Sequence, residues 1–518
     1  VDGAPYLMLG AQIHNSSAWP AVLPTVVWPA MQALHANTVE MPVYWEQLEP
    51  EPGKFDFSVV DGLVAQARAH HVRLVLLWFG TWKNGSNHYT PAWMKRQPQR
   101  YPNVVGATGQ PLDSPSPHAP ATLAADIRAF TAFMGHLKLI DPARTVIMVQ
   151  VENEPGTWGG VRDFSPAAQR LFEAPVPAGL LAALGKPAGA GSWQAVFGED
   201  ADEFFHAWFI GRFVGQVAAA GKAVYPLPLY TNAALRDPLR PSRPPSYESG
   251  DPTDNVLAIW KAAAPALDLL APDIYMTDDA RYRRVLELYQ RPDNALLIPE
   301  TGSQAANARY FYAALGLGAI GFAPFGLDLA NFADSPPGAP ALTAANLAAF
   351  ALNYRAFAPM AREVARLNFE GKLRAVAEAP PTPPAAPDAA AGPAAATATP
   401  APAVAQLAPP LHFAGWDATV AYGPRVGTGA GANAQPIGRA MLAQLGPDEF
   451  LVTGAYARVN FRPAGAAAGK PWQFMRVEEG QYENGVFKPV RIWNGDETDW
   501  GLQFSSVPQV VRVRLYTR

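Results

Sequence analysis

From the N-terminus to about residue 326, short apolar runs alternate with longer stretches of helical periodicity, and this alternation narrows the possible folds more than any other feature of the chain. Strands covered on both faces read as near-continuous apolar runs, and successive parallel strands need a crossover of a dozen or more residues, usually a helix. Eight such runs occur: Leu7 to His14, Thr38 to Tyr44, Arg73 to Phe79, Val146 to Glu154, Tyr225 to Ala233, Leu270 to Tyr275, Ala295 to Thr301 and Ala319 to Gly326. The stretches Pro24 to His35, Asp61 to His70, Ala121 to Leu139, Ala201 to Ala220, Arg281 to Gln290 and Ala305 to Leu315 supply helical patterns between them. Eight strand-helix repeats predict an α/β fold, a TIM (β/α)8 barrel, over residues 1–366. Lys83 to Pro120 and Gly156 to Ser192 are long loops after strand ends, where a barrel shapes its cleft.

Beyond that point the pattern changes. Lys372 to Glu378 reads as a strand, and a Pro/Ala-rich tract at 379–405 follows that cannot build a core. Alternating runs then recur at Trp416 to Tyr422, Glu449 to Phe461, Trp472 to Glu478, Gly485 to Trp493 and Val507 to Tyr516. They predict an all-β sandwich or jelly roll over 367–518, with the Pro/Ala tract as a loop inserted in it. Such a domain braces the barrel or binds sugar.

Composition excludes several functions. The net charge of -4 comes without a basic run, so nucleic acid is not an expected partner. The chain has no cysteine, which removes disulfides and thiolate chemistry, and its nine histidines show no paired zinc spacing. No metal or other cofactor is expected. Gly427 to Gly431 lacks the Lys-Ser/Thr of a phosphate loop and reads as a flexible loop. Apolar stretches break well short of the ~20 residues a membrane helix needs, so no membrane span is expected. The first residues lack a signal-peptide pattern, and a processed end suits a periplasmic or secreted protein without excluding the cytoplasm. No apolar seam specifying an oligomer is readable.

Strand periodicity points to chemistry. In the fourth run Gln150, Glu152 and Glu154 share a face opposite Val149 and Val151; in the first, Gln12 and His14 oppose Ala11 and Ile13; in the second, Glu40 and Tyr44 oppose Val39, Met41 and Val43. A barrel interior is ordinarily filled by branched apolar side chains, so polar inward faces imply a site or a self-satisfied buried network. Glu154 and Glu300 end their strands at the face where barrel sites lie. Paired carboxyls across a pocket suit glycoside hydrolysis by double displacement, one as proton donor and the other as nucleophile. His14, Tyr44, Glu46, Trp78, Asn232, Tyr275 and Phe325 stand at or near strand ends as candidate substrate contacts, with packing, capping or turn formation as the plain alternative for each.

Three segments resemble glycoside hydrolase family 35, the β-galactosidase family, within the wider clan of retaining (β/α)8 glycosidases. They are Glu152-Asn153-Glu154-Pro155-Gly156, the stretch Asn37 to Glu46 with Leu48 to Phe57, and Ile298-Pro299-Glu300. Pro155 and His14-Asn15-Ser16 depart from the family's familiar motifs and point to a divergent bacterial-type subgroup. The resemblance implies an exo-acting enzyme that releases terminal β-linked galactose with retention. Glu154 would be acid/base and Glu300 nucleophile, and Asn153 would bind the sugar's 2-hydroxyl. An endo-β-glycanase or other β-glycosidase of the clan, and a non-catalytic carbohydrate-binding barrel, are the alternatives.

Overall fold

The computed structural model describes residues 1–189, 191–330, 342–380, 406–423, 425–426, 429–430, 433 and 435–518. Most of the Pro/Ala tract, and most of the Gly427 to Gly431 stretch, lie outside the described residues. Eight parallel strands form the first sheet: β1 (Met8–Leu9), β2 (Thr38–Tyr44), β3 (Arg73–Lys83), β4 (Val146–Asn153), β5 (Leu229–Ala234), β6 (Leu269–Ile274), β7 (Leu297–Thr301) and β8 (Gly321–Pro324). Their order is β1-β8-β7-β6-β5-β4-β3-β2. Residues 10–13 join the ends of that row: Gly10 N–H donates to Phe322 at 2.9 Å, while Glu40 N–H donates to Ala11 at 2.9 Å and Ile13 N–H to Glu40 at 3.2 Å. The sheet thus closes into a TIM barrel.

Local chemistry sets where the elements begin and end. β5 starts four residues later than the apolar run, because Pro226 and Pro228 have no N–H for the ladder. The Pro24 to His35 pattern divides into helices Leu23–Val26 and Trp28–Leu34. The loop after β3 carries a hairpin, Asn103–Val105 with Pro111–Pro115, and the loop after β4 carries helices Pro166–Glu173 and Ala178–Ala183. Among the described residues no helix is long and apolar enough to cross a membrane.

The residues fall into two compact units. One comprises Met8–Ser303 and Gly321–Leu342; the other comprises Val1–Leu7, Gln304–Ile320 and Thr343–Arg518. The second unit holds antiparallel strands β9 (Leu373–Ala377), β10 (Leu411–Phe413), β11 (Trp416–Tyr422), β12 (Arg439–Gly446), β13 (Glu449–Ala455), β14 (Ala457–Pro463), β15 (Trp472–Glu483), β16 (Val486–Ile492), β17 (Leu502–Phe504) and β18 (Gln509–Thr517). They form a six-stranded sheet, β9-β12-β13-β18-β15-β16, and a four-stranded one, β10-β11-β14-β17. Trp416, Leu442, Phe450, Val459, Phe461, Leu502 and Val513 meet in one buried cluster of the two sheets. The run Glu449 to Phe461, expected as one strand, is broken at Tyr456, whose φ of 49° sends β13 into one sheet and β14 into the other. In the same unit the helix Tyr310–Gly316 lies against β9 so closely that a Cβ on Gly316 would stand 2.1 Å from the Ala375 carbonyl oxygen.

Candidate active site

At the end of β4 the backbone leaves the extended region twice: φ is 62° at Glu152 and 45° at Glu154. For a residue with a side chain the left-handed region costs about 1–2 kcal/mol, and it persists where the surrounding contacts hold it. The excursion breaks the strict two-residue alternation, and the expectation that Glu152 shares the inward face fails for that reason. Its carboxylate instead accepts the Trp82 N–H at 2.7 Å and contacts Asp126 on the helix Pro120–Ile140. Asp126 also accepts the Trp78 indole N–H at 2.9 Å and the Thr81 hydroxyl at 2.5 Å. Burial, and then the charge of Asp126, push Glu152 well above the carboxylate range; burial raises Asp126 too. Two buried carboxyls in contact need a proton between them.

Asn153 and Glu154 face a different set of groups. Asn153 Oδ1 accepts from Lys83 Nζ at 2.8 Å, and its Nδ2 has no protein partner. Lys83 also donates to Asn84 Oδ1 and lies over the Phe79 ring. The Glu154 N–H donates to Asn232 Oδ1 at 3.0 Å, and Asn232 Nδ2 donates to Asp273 Oδ2 at 2.5 Å. Asn232 on β5 therefore ties the strained end of β4 to β6.

Glu300 lies on β7, in register with Asp273 on β6. Gln12 Nε2 donates to its Oε2 at 2.8 Å, and the Tyr275 hydroxyl donates to its Oε1. Both donors need an acceptor, which an ionised carboxylate presents on each oxygen. Glu154 is wired in the opposite sense. Burial pushes its carboxyl up to about 7; Lys83 and a hydrogen bond from Asp273 oppose that rise, while the charge of Glu300 adds to it.

The remaining expected contacts divide. Tyr275 and Asn232 meet the glutamates as described, and Phe325 is bridged to Gln12, the residue that holds Glu300. His14 meets Phe325 edge-on at 5.4 Å, and its Nδ1 pairs with Asp328 Oδ1 at 2.8 Å. Tyr44 donates to the Asn15 carbonyl at 2.5 Å and stacks between Trp19 and Tyr89. Glu46 turns toward Lys95, 3.6 Å away, and with Trp19, Tyr44, Gln47 and Asp56 lines a cavity of about 400 Å³. Trp78 is not brought to the glutamates: it is fully buried, stacked on Phe133 and bonded to Asp126, so its role is packing between β3 and a helix.

Four further residues belong to this neighbourhood and were not among the expected ones. Asp273 precedes Tyr275 by two positions in the segment that ends β6, so alternation could have singled it out. Lys83 closes β3. Glu248 and Asp251 come from the loop after β5, where no periodicity operates. Glu248 is buried with neither carboxyl oxygen hydrogen-bonded, and burial, followed by the charges of Asp251 and Glu154, raises it well above the carboxylate range. Asp251 accepts the Ala234 N–H at 2.6 Å and is likewise raised by burial and then by Glu154. Among the described residues no group of three or more His, Asp or Glu is placed to hold a metal ion.

Residues 15–177 match the model of glycoside hydrolase family 42, described as beta-galactosidase. That match covers part of the barrel and points to a family 42-type β-galactosidase; it does not bear out family 35 specifically. Residues 350–505 match a domain of unknown function, DUF5597. The chain is similar to a β-galactosidase of Xanthomonas manihotis, 30% identical over 173 residues that make up 30% of this chain and 25% of that relative. Among solved structures, the β-galactosidase of Rahnella sp. R3 aligns with 70% of this chain and 57% of its own at a TM-score of 0.51 and 16% identity. The β-galactosidase of Bacillus circulans sp. alkalophilus does so with the same coverage and TM-score at 13% identity. These alignments show the barrel fold; the chain spans a quarter of its curated relative's length and little over half of each structural neighbour.

Proposed function

We propose that this protein is a retaining glycoside hydrolase that removes terminal β-linked galactose, with Glu154 as acid/base and Glu300 as nucleophile. The observation that carries this reading is the opposite wiring of two neighbouring glutamates. One carboxyl is held to a proton near neutral pH, and the other is fixed as an acceptor by Gln12 and Tyr275. The similarity to β-galactosidases supports the sugar.

The chemistry follows in two displacements. Glu154 gives its proton to the glycosidic oxygen as the bond to the anomeric carbon breaks, and a Glu300 oxygen bonds that carbon from the opposite face. Glu154, now a carboxylate, takes a proton from water, whose oxygen displaces Glu300 and restores the original configuration. Asn153 Nδ2, buried and unpartnered, is available to the 2-hydroxyl, a contact that strengthens as positive charge develops on the ring.

The test is a panel of chromogenic β-glycosides and a long β-glycan, assayed with wild type, Glu154→Gln and Glu300→Gln. Hydrolysis of the galactoside should fall by orders of magnitude in both variants, and the first sugar released should be the β-anomer by NMR. Undiminished hydrolysis in either variant overturns the roles. An α-anomer overturns retention, and preferential internal cleavage of the glycan overturns exo action.

A further inference from the structure

A third carboxyl, Asp273, interacts with both glutamates and is not used by the double displacement. Asp273 is buried on β6, directly beside Glu300 in the register of β6 and β7. Asn232 Nδ2 occupies its Oδ2, and no N–H or O–H of the protein reaches its Oδ1. The Asp273 and Glu154 side chains are nevertheless in hydrogen-bonding contact. Two carboxylates have only acceptors to offer each other, so one of them carries the proton in that contact.

We propose that Asp273 is a positioning residue held as the neutral carboxylic acid, donating a hydrogen bond to Glu154 and so stabilising the carboxylate that forms when Glu154 gives up its proton. The proposal rests on the roles assigned above to Glu154 and Glu300. The surroundings favour the neutral form at Asp273 over an ionised one. Burial acts first, and the charges of Glu300 and Glu154 follow in pushing its carboxyl well above the ordinary range. Tyr275, Tyr230 and Tyr289 are near enough to feel its charge, as Glu40 is to feel that of Glu300; Glu248, Asp251 and Lys83 interact with Glu154. None of these places a cation against Asp273 itself; Lys83 acts on Glu154.

The proton on Asp273 stays there throughout the cycle. What changes is its acceptor, a neutral carboxyl before the leaving group departs and a carboxylate after, and a hydrogen bond to a charged acceptor is roughly twice as strong. Asn232 fixes both partners, the Glu154 backbone through Oδ1 and Asp273 through Nδ2, so the donor is aimed before substrate arrives.

Asparagine is the near-isostere of a neutral aspartic acid and differs from an ionised one by a full charge. The pH profile of kcat/KM for 4-nitrophenyl β-galactoside is therefore measured with wild type, Asp273→Asn and Asp273→Leu, alongside thermal melts. Asp273→Asn should keep its alkaline limb at the wild-type position and most of its activity. Asp273→Leu should lose about 10- to 100-fold in kcat, the effect of removing a hydrogen bond to a charged group, with the alkaline limb moved to higher pH. That loss should shrink with a 2,4-dinitrophenyl leaving group, which needs little protonation. A limb shifted by about one pH unit or more to lower pH in Asp273→Asn would show that an ionised group had been removed and overturns the proposal. So does an equal loss with both leaving groups in Asp273→Leu. If Glu154→Gln and Glu300→Gln remain active in parallel assays, the underlying roles fail instead, so the two failures are distinguishable.

Discussion

Replacing Lys83 by Met is the most direct probe of how Glu154 keeps its proton. At pH 7 a carboxyl with the ordinary value of 4.5 is protonated in about 0.3% of molecules, and one at about 7 in about half, a difference of roughly 150-fold in competent acid. Burial produces that rise, and Lys83 is the largest influence opposing it. A cation favours the carboxylate; without it, Glu154 holds its proton to higher pH. An opposite charge a few ångströms away moves a carboxyl by about one to three units, so the alkaline limb of kcat/KM should rise by about one unit in Lys83→Met. Its height should fall as well, because Asn153 loses the donor at 2.8 Å that orients its amide. Lys83→Arg keeps the charge and should return the limb toward the wild-type position whatever happens to the height. The assay is hydrolysis of 4-nitrophenyl β-galactoside from about pH 5 to 9. A limb that stays in place or moves to lower pH in Lys83→Met refutes the electrostatic reasoning, whatever the loss of rate.

Three other outcomes are expected. Tyr275→Phe removes the hydroxyl donor from Glu300 and should lower kcat by about 10- to 100-fold with little change in melting temperature; an unaltered kcat would show that the contact does not orient the nucleophile. The Glu152–Asp126 pair has carboxyl values raised in the folded state, so its contribution to stability is present below the unfolded range and is lost as pH rises through the folded values. Glu152→Gln supplies a permanent donor to Asp126, and its melting temperature should decline less steeply than wild type toward alkaline pH; parallel curves would contradict the shared proton. Gly316→Ala places a methyl 2.1 Å from the Ala375 carbonyl and should destabilise the chain by about 1–3 kcal/mol, as overpacking does, measured by denaturant unfolding.

The barrel was legible because its strands read as short, largely apolar runs and its crossovers keep helical period, both of which survive in a single sequence. Glu154 and Glu300 were legible for the same reason, since each closes such a run. Glu152 was misplaced because the reading assumed extended backbone to the end of β4, and a left-handed residue breaks the alternation from there onward. Trp78 was misplaced for a related reason: on a strand buried on both faces, an aromatic near the end faces the cleft or the helices with equal ease. Glu248 and Asp251 left no signal, because a loop has no repeat to betray which side chains fold inward. The division of β13 from β14 turns on one residue, Tyr456, across which the core-facing side chains change from Phe450 and Val452 to Ala457, Val459 and Phe461, a shift of parity that a reading of the run as one strand passes over.

The interleaving of the compact units bears on how the chain can be cut. Residues 304–320 leave the barrel's unit and return to it, and the helix Tyr310–Gly316 within them meets partners that are synthesised later. Phe311 packs edge-on against Tyr354 and Phe357, and Tyr312 against Phe357, at ring separations of 4.9–5.7 Å. A gene shortened after Leu342 would encode every barrel strand yet release this aromatic helix with its partners missing. Such a fragment would carry an adhesive seam into solution and precipitate, so the barrel unit is to be obtained by expressing the chain through β18 rather than by trimming it to the last barrel strand.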